Sequence, residues 1–534
     1  MALLRILSCT LAALAAGCVS SPWLDSRLPP KGTLRTISPA ELERHIATLS
    51  SDRFAGRAPG TAGEELTVGY VVEQFKRAGA LPGNPDGTYR QTVPLVGIGS
   101  SPSAAFCVRG ECKPWALNKD FVGGSLFLQS EVKVEDSQLV FVGFGLVDPL
   151  SGRDDYKDVD VRGKTLLMLS SEADVEGGHD APGPRGESGG GFARHAVAIA
   201  QQREAAAAKG AAARVIIHDA ADSHGALSTF SWSPEELDME PRRIHHLPVS
   251  LRADEGKVRE LLADAGFDLD ALKRKALLPD FKPVALPVRA NLDVRNTVRR
   301  FESSNIVARI EGSDPNLKDE YVVYVAHWDH LGHDPSLPDP VYHGALDNAS
   351  GVAALLEMAK AYAHLATKPR RSILFLVTTG EENGLLGARH YVAHPLYPLK
   401  KTVGVLNLDT LNPWGPTNDF EIVGTATAAL HAALIDVAIA QGRVLSADTR
   451  PDMGFFYRSD QLEFARVGVP SIWIRRGTNY IGRPARYGRD VNAAYFANDY
   501  HKPTDTARAD WDYAGMADQV RFAFAAGYRL AMIE

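Results

Sequence analysis

Three short apolar runs in the carboxy-terminal half each end close to a side chain that can bind a metal ion. The runs are residues 321–326, 372–377 and 403–408, and the side chains that follow them are His327, Glu381 and Asp409. Runs of this length that are rich in β-branched residues indicate buried strands. In an open α/β sheet the ligand crevice lies just beyond the carboxyl ends of the strands, so we expect the three side chains to converge in space.

Helical segments alternate with these strands. We predict helices over 350–365, 385–392 and 425–440, and a further short strand over 471–474. Strands that alternate with helices form a mainly parallel sheet covered by helices, so the predicted fold class is α/β.

The chain exceeds the length at which a single hydrophobic core stops growing. At 534 residues, two domains are the default expectation. Strand-like runs at 138–143, 164–169 and 214–217 precede the metal-capable side chains, which predicts an inserted domain rich in strands. Within it, the segment 177–191 is dense in glycine and proline and is predicted to be a mobile loop. The predicted divisions are a leader at 1–17, a first piece of the main domain at 36–112, the insertion at 113–288 and a larger second piece at 289–534.

Two helices are predicted near the start of the first piece. Ser38 to Glu41 form a capping box with proline at the first helical turn, and a second amphipathic stretch runs from Gly63 to Phe75. The polar segment 50–57 between them is interrupted by glycine and is predicted to be a loop.

The amino terminus has the pattern of an export signal. A positive charge at Arg5 precedes an apolar stretch over 11–16 that is too short for a membrane span. Cys18 follows three small residues, and this segment resembles the lipobox of bacterial lipoproteins, in which that cysteine is lipidated. We predict an exported protein of the periplasm that is anchored to the outer membrane through Cys18. Simple cleavage for secretion and an uncleaved apolar tail are the alternatives.

The cysteines and the net charge bear on disulfide formation and on possible nucleic-acid partners. Cys107 and Cys112 are the two cysteines that would remain besides Cys9 and Cys18, and a disulfide between them is favoured in an oxidising compartment. The net charge of −7 and the absence of a long basic run lead us to expect no DNA or RNA partner. The sequence does not indicate an oligomeric state.

Asp347 is the best candidate for a carboxylate that bridges two metal ions. Two ions a few ångströms apart need at least one carboxylate whose oxygens can face both. Asp347 lies in a segment of small residues at 344–351, where the backbone can approach closely and a helix begins. The alternative is that Asp347 only caps this helix.

Glu381 and Glu382 follow a strand that we expect to be buried. Adjacent glutamates are usually two surface charges, but their position after residues 372–377 makes that explanation insufficient. One carboxylate can bind metal while its neighbour takes a proton from water.

Histidines complete the candidate set. His327 and His330 could each be ordinary polar residues at a strand end. However, an imidazole that binds metal normally donates its second ring N–H to a carboxylate, and Asp329 is well placed for this role. Among the later histidines, His501 lies in a comparably defined loop.

Five motifs together resemble those of the M28 family of zinc metallopeptidases, which includes co-catalytic aminopeptidases and related carboxypeptidases. They are His-Trp-Asp-His at 327–330, Gly-Ala-Leu-Asp-Asn at 344–348, Gly-Glu-Glu at 380–382, Asn-Leu-Asp at 407–409 and Tyr-His-Lys-Pro-Thr-Asp at 500–505. The resemblance implies a three-layer α/β/α sandwich with a mostly parallel mixed sheet. It also implies that the insertion is a β-rich protease-associated domain. Two departures from the family pattern are Gly380, where alanine is frequent, and Gln461, where histidine is common.

The resemblance also implies a role for each site residue. His327, Asp347 and Asp409 would hold one Zn²⁺, and Asp347, Glu382 and His501 would hold a second. Glu381 would be the general base and acid, and Asp329 would orient His327. Tyr457 is a candidate donor to the tetrahedral oxyanion, although an aromatic triplet at 455–457 is more often part of a core.

The expected function is that of a di-zinc aminopeptidase acting on peptides. A carboxypeptidase or dipeptidase of the same fold is the first alternative, and the direction of cleavage is left open by the sequence. A single-zinc glutaminyl cyclase and a non-catalytic binding module are two further hypotheses from different functional classes. The retention of every expected ligand argues against both of them.

Overall fold

The computed structural model describes residues 28–148, 153–170, 202–218, 235–238, 246–449 and 454–533. The predicted leader at 1–17, Cys18 and the glycine-rich segment 177–191 lie outside these ranges. Within the described ranges, none of the helices combines the length and apolar character that crossing a bilayer requires.

Most of the described strands join one continuous sheet, and β6 and β7 form a separate pair. In chain order the strands are β1 (Leu81–Pro82), β2 (Arg90–Val108), β3 (Glu111–Trp115), β4 (Phe121–Gly124), β5 (Glu131–Phe141), β6 (Val147–Asp148), β7 (Arg153–Asp154), β8 (Thr165–Met168), β9 (Ala213–His218), β10 (Glu235–Leu237), β11 (Val249–Asp254), β12 (Val284–Ile310), β13 (Tyr321–His327), β14 (Ser372–Thr378), β15 (Thr402–Asn407), β16 (Asp419–Thr425), β17 (Val444–Ala447) and β18 (Ser471–Arg476).

Eleven labelled helices accompany these strands in the described ranges, and residues 202–208 are also helical. The labelled helices are α1 (Lys31–Leu34), α2 (Pro39–Leu49), α3 (Ala62–Ala78), α4 (Glu255–Asp264), α5 (Leu269–Ala276), α6 (Ser350–Ala363), α7 (Leu386–Ala393), α8 (Ala428–Gln441), α9 (Gln461–Arg466), α10 (Tyr487–Asn498) and α11 (Tyr513–Met532).

The carboxy-terminal part of the sheet is mixed and mostly parallel, as predicted. Its strand order is β17-β16-β18-β15-β13-β14-β12. Strand β13 runs parallel to both β14 and β15, and β15 runs parallel to β18. Strand β12 is antiparallel to β14, and β16 is antiparallel to β18. The carboxyl ends of β13, β14 and β15 therefore lie side by side at one edge.

Helices cover both faces of this sheet and make three layers. Along β13, Val322, Tyr324 and Ala326 pack into a core with α2, α3, α6, α8 and α11. The alternate residues Val323 and Val325 pack on the other face against α7 and α9. Successive side chains of a strand point to opposite faces, so a strand that is covered on both sides is apolar throughout. This explains why the run 321–326 shows no polar alternation.

The predicted capping box at Ser38 forms only in part. The Ser38 hydroxyl accepts the backbone N–H of Glu41 at 3.4 Å, as expected for the residue that caps α2. The Ser38 N–H, however, donates to the carboxylate of Glu357 on α6 at 3.1 Å, and Glu41 binds Arg44 instead. A tertiary partner thus replaces the local one, which ties the start of α2 to α6.

A second hydrophobic core lies within and around the predicted insertion. It includes side chains of β5, β8, β9 and β11, together with α4 and α5, and it extends from Ala104 to Val294. Strands β2 and β12 pair antiparallel over residues Arg90 to Val108 of β2, and β12 continues from this core into the first one. The division at 113–288 stays a prediction, because β12 contributes side chains to both cores. Cys107 and Cys112 face each other across β2 and β3 and are joined by a disulfide.

Candidate active site

Three side chains converge where neighbouring parallel strands end. His327 is the last residue of β13, Glu381 lies just after β14, and Asp409 lies just after β15. The Nε2 atom of His327 is 3.8 Å from a carboxylate oxygen of Glu381 and 3.8 Å from one of Asp409. The convergence predicted from the three apolar runs is therefore present in the fold.

Asp347 lies between two histidines. Its Oδ1 is 3.3 Å from Nε2 of His327, and its Oδ2 is 3.3 Å from Nε2 of His501. The alternative role as a helix cap belongs to its neighbour, because Asn348 Oδ1 accepts the backbone N–H of Gly351 at 2.8 Å. Both oxygens of Asp347 are consequently directed at imidazole nitrogens, which is the arrangement that a bridging carboxylate requires.

Glu382 and His501 form the other side of the cluster. The Nε2 atom of His501 is 3.0 Å from Oε2 of Glu382. The ring of His501 stacks on Tyr500, with 3.8 Å between ring centroids. His501 has a backbone φ of 56°, in the left-handed region that residues other than glycine seldom adopt.

Asp329 holds the backbone that carries the two glutamates. Its carboxylate accepts the N–H groups of Glu381 at 3.1 Å and Glu382 at 3.3 Å. The same carboxylate is 3.8 Å from Nδ1 of His327, whereas the backbone carbonyl of Asp329 is 3.2 Å from that nitrogen. Asp329 therefore positions the glutamate pair more directly than it orients His327. Burial raises the pKa of Asp329 to about 7.

The concentration of buried carboxylates dominates the electrostatics of the cluster. Burial, reinforced by the neighbouring charges of Glu382 and Asp409, raises the pKa of Glu381 well above its ordinary value. Burial alone would lower the pKa of His327, but Glu381, Asp347 and Asp409 raise it well above its usual range. Buried like charges at this separation are costly unless cations or protons compensate them.

The residues present fit divalent metal ions. Among the described residues, Nε2 of His327, Nε2 of His501 and Oδ1 of Asp409 are buried and have no hydrogen-bond partner. The carboxylates of Asp347 and Glu382 lie within ion-pair distance of these ring nitrogens without forming hydrogen bonds to them. His327, Asp347 and Asp409 each offer a ligand atom, and these atoms lie within 4.8 Å of one another. Buried polar atoms are normally paired, and a bound cation would supply the missing partner.

Three supporting residues were not among the predicted site residues. His330 Nδ1 is 2.6 Å from Oε1 of Glu382, Asp505 accepts the backbone N–H of Asp347 at 3.1 Å, and Ser459 donates to Oδ2 of Asp409 at 2.7 Å. His330 and Asp505 belong to the motifs at 327–330 and 500–505, so their position in those motifs was the available signal.

A narrow cleft opens onto the cluster. Its walls are formed by acidic, aromatic and basic side chains, namely Asp347, Glu381, Asp409, Thr410, Phe455, Arg458, Trp473, Arg475, Phe496 and Tyr500.

The structure does not bring Tyr457 into this cleft. Its side chain is 48% exposed and packs against Phe456, while Phe455 and Arg458 on either side line the cleft. The short 3-10 turn Phe455–Tyr457 directs successive side chains in different directions, which a linear aromatic triplet does not reveal. The predicted oxyanion role of Tyr457 therefore lacks support from its position.

Gln461 has a structural role below the cleft. Its side chain accepts from Asn407 at 2.8 Å and donates to the backbone carbonyl of Phe456 at 2.9 Å. The departure from histidine at this position thus affects how the turn Phe455–Tyr457 is held.

Residues 305–525 match the model of Peptidase family M28. A vacuolar membrane protease of Saccharomyces cerevisiae is 34% identical over 134 residues, which is 25% of this chain and 12% of the yeast protein. Two solved structures resemble the chain at 18% identity. An aminopeptidase from Aneurinibacillus sp. strain AM-1 has a TM-score of 0.53 and covers 93% of this chain and 94% of its own. A peptidase M28 precursor from Shewanella amazonensis SB2B has a TM-score of 0.50 and covers 96% and 97%.

These comparisons correct the predicted location and support the predicted fold. The predicted location, in the periplasm with an outer-membrane anchor, is wrong, because the curated relatives are vacuolar membrane proteases of yeasts. The solved structures establish a shared fold across almost the whole chain. The matched residues 305–525 contain every predicted metal ligand and Glu381. Residues 305–525 therefore form a region of the peptidase family M28 type, as the five motifs predicted.

Proposed function

We propose that this protein is a di-zinc exopeptidase that removes residues from the amino termini of peptides. His327, Asp347 and Asp409 would hold one zinc ion, and Asp347, Glu382 and His501 would hold the other. The observation that carries this proposal is the position of Asp347, whose two oxygens lie 3.3 Å from Nε2 of His327 and 3.3 Å from Nε2 of His501. Imidazole nitrogens combined with carboxylate oxygens are a donor set that suits zinc.

The remaining chemistry falls to Glu381. Zinc, when bound, supplies Lewis-acid activation of water and of the substrate carbonyl. Glu381 lines the cleft beside Asp347 and Asp409 and belongs to neither proposed ligand set. Its carboxylate would accept the proton of the attacking water and pass it to the departing amine. Burial raises the pKa of Glu381 well above its usual range, which favours a group that gains and returns a proton.

An amino-terminal direction of cleavage is proposed by analogy with the aminopeptidase from Aneurinibacillus sp. strain AM-1, whose fold the chain shares. One observation favours the alternative of a carboxypeptidase or dipeptidase. The guanidinium of Arg458, which donates to the hydroxyl of Tyr500 at 3.0 Å, also lines the cleft and could attract a free carboxylate.

Peptides blocked at one end distinguish the two directions. The same peptide would be prepared in three forms: with both termini free, with the amino terminus acetylated, and with the carboxyl terminus amidated. Hydrolysis of each form would be measured before and after a chelator removes the metal. We expect acetylation of the amino terminus to abolish cleavage, amidation of the carboxyl terminus to be tolerated, and zinc to restore activity. Loss of cleavage on amidation alone would overturn the direction. A single tightly held ion per chain, measured by elemental analysis, would overturn the di-zinc assignment and favour a glutaminyl cyclase.

We also propose that the predicted insertion at 113–288 is a protease-associated domain that covers the mouth of the site. Support comes from Glu236, whose carboxylate lies 2.9 Å from Nη1 of Arg389 on α7. Helix α7 follows directly after the segment that carries Glu381 and Glu382. Deletion of this domain would be expected to widen the range of accepted peptide lengths, and an unchanged length preference would contradict the proposed cover.

A further inference from the structure

Arg57 is a buried arginine at the end of the short 3-10 turn Asp52–Arg57. Its side chain is 1% exposed, and its backbone φ is 52°. The preceding Gly56 also has a positive φ, and a Cβ at Gly56 would lie 2.1 Å from the carbonyl oxygen of Gly332. Only glycine fits that contact, so the turn holds Arg57 against the segment that follows β13.

The guanidinium of Arg57 donates to four backbone carbonyls. Its Nε donates to Trp328 at 2.9 Å and its Nη2 to Gly344 at 2.8 Å. Its Nη1 donates to His343 at 2.7 Å and to Leu49 at 2.8 Å. Three separate segments therefore meet at one side chain: the end of α2, the segment after β13 and the segment before α6.

Two of these segments each adjoin one of the proposed zinc ligands, His327 in one case and Asp347 in the other. Trp328 stands between His327 and Asp329, and Gly344 precedes Asp347 in the turn that leads into α6. The bonds from Nε and Nη2 of Arg57 thus join the backbone beside His327 to the backbone just before Asp347. The planar guanidinium fixes the spacing between these two carbonyls, because its donors keep a rigid mutual geometry.

The positive charge of Arg57 also lies near the buried carboxylates of the site. In the described part of the chain, no carboxylate lies within ion-pair distance of it, and its bonds go to carbonyl oxygens. Burial lowers the pKa of Arg57 to about 10, while the more distant charges of Asp505, Asp329, Asp347 and Glu382 oppose that shift. Arg57 therefore remains charged at neutral pH and partly offsets the excess of buried carboxylates around the site.

We propose that Arg57 is a positioning residue that sets the distance between His327 and Asp347, so that the two ions can share the Asp347 carboxylate. This inference rests on the proposed di-zinc site. Arg57 forms no hydrogen bond or ion pair with a proposed ligand side chain, so its effect is exerted through the backbone of Trp328 and Gly344. Lysine would keep the charge but could not bridge the same carbonyls.

The test compares Arg57→Lys and Arg57→Met with Arg371→Lys in the full chain. Arg371 is a suitable control because it is also buried and donates to the backbone carbonyls of Leu530 and Ile533, although it additionally pairs with the carboxylate of Glu320. It directly precedes β14, at the end of the strand opposite Glu381. Stepwise zinc affinity would be measured by competition with a chromophoric chelator, alongside the zinc-dependent rise in melting temperature. We expect both Arg57 variants to weaken at least one zinc by about 10-fold to 100-fold. We expect Arg371→Lys to leave both affinities unchanged.

Zinc affinities of both Arg57 variants within about twofold of wild type would overturn the proposal. It would also be overturned if both variants failed to fold in excess zinc while Arg371→Lys folded, since Arg57 would then serve folding itself. Wild-type protein that holds a single ion would contradict the di-zinc function separately. In that case the affinity for the one ion would decide the role of Arg57 by the same comparison.

Discussion

The hydroxyl of Ser459 donates a hydrogen bond to Oδ2 of Asp409 at 2.7 Å. Ser459 in turn accepts from the side-chain amide of Asn407 at 2.7 Å, so its hydroxyl hydrogen is committed to Asp409. The other oxygen, Oδ1 of Asp409, is buried without a hydrogen-bond partner among the described residues. Ser459 therefore fixes which oxygen of this carboxylate faces His327.

Replacing Ser459 with alanine tests this relationship. We expect Ser459→Ala to weaken zinc binding by about 10-fold, because the Asp409 carboxylate would be free to rotate. Stepwise zinc titration of the metal-free protein would measure the change. Ser471→Ala is a suitable control, since Ser471 is equally buried but donates to the backbone carbonyl of Gln461. Equal zinc affinity in the wild type and Ser459→Ala would show that Asp409 does not depend on this bond.

Glu381→Gln separates proton transfer from metal binding. Glutamine has nearly the same shape but cannot accept and return a proton, so kcat should fall by about 10²-fold to 10⁴-fold. The metal content should stay at the wild-type value, because Glu381 is in neither ligand set. Hydrolysis rates and elemental analysis on the same preparation would check both parts. Wild-type turnover with full metal content would remove Glu381 from its assigned role.

Tyr457→Phe should have little effect on hydrolysis. The Tyr457 side chain is 48% exposed and lies outside the cleft lining. Loss of a donor to the oxyanion costs about 10²-fold to 10³-fold in kcat, so a change below about twofold would agree with its position. A large decrease in kcat at unchanged KM would show that Tyr457 moves to reach the substrate during turnover.

The Glu236–Arg389 contact predicts a pH-dependent stability. Burial would raise the pKa of Glu236, but the imidazole of His246, 3.3 Å away, and the charge of Arg389 lower it to about 2. A carboxyl group whose pKa is lower in the folded state adds stability above its unfolded value near 4.5, and this stability is lost as the pH falls toward 2.

We therefore expect Glu236→Gln to lower the unfolding midpoint at pH 7, with the difference from wild type shrinking steadily below about pH 4.5. Thermal unfolding of the metal-free proteins across this range would measure it. Glu260→Gln is a control, because Glu260 makes an exposed ion pair with Lys257 of the kind that contributes little. A difference that stays constant down to pH 2 would mean that the Glu236 charge is not responsible.

The strands and the ligands could be predicted from the sequence for different reasons. Strands β13, β14 and β15 are buried on both faces, so their apolar runs are unbroken and easy to recognise. The ligands occupy short motifs, and the sheet brings the ends of three strands together whatever lies between them. The predicted set His327, Asp347, Glu382, Asp409 and His501 is consequently found in one cluster.

The supporting contacts could not be predicted in the same way. Asp505 accepts the backbone N–H groups of Leu346 and Asp347, which are distant in the chain. Because almost every residue has a backbone N–H, the identity of these two residues does not indicate the contact. Arg57 binds only backbone carbonyls, so nothing in the sequence of its partners indicates the contact. The prediction for Tyr457 failed because neighbouring residues of a tight turn point in different directions. Phe455 and Arg458 line the cleft, whereas Tyr457 faces solvent.

The uninterrupted course of β12, from Val284 to Ile310, limits how the two cores can move relative to each other. It pairs with β5 at one end, with β14 at the other, and with β2 across most of its length. A swing between the cores would have to shear or bend this shared ribbon and strain many ladder bonds at once. The shared strand therefore connects the two cores rigidly, and peptide entry would depend on loop movements at the surface of the protein.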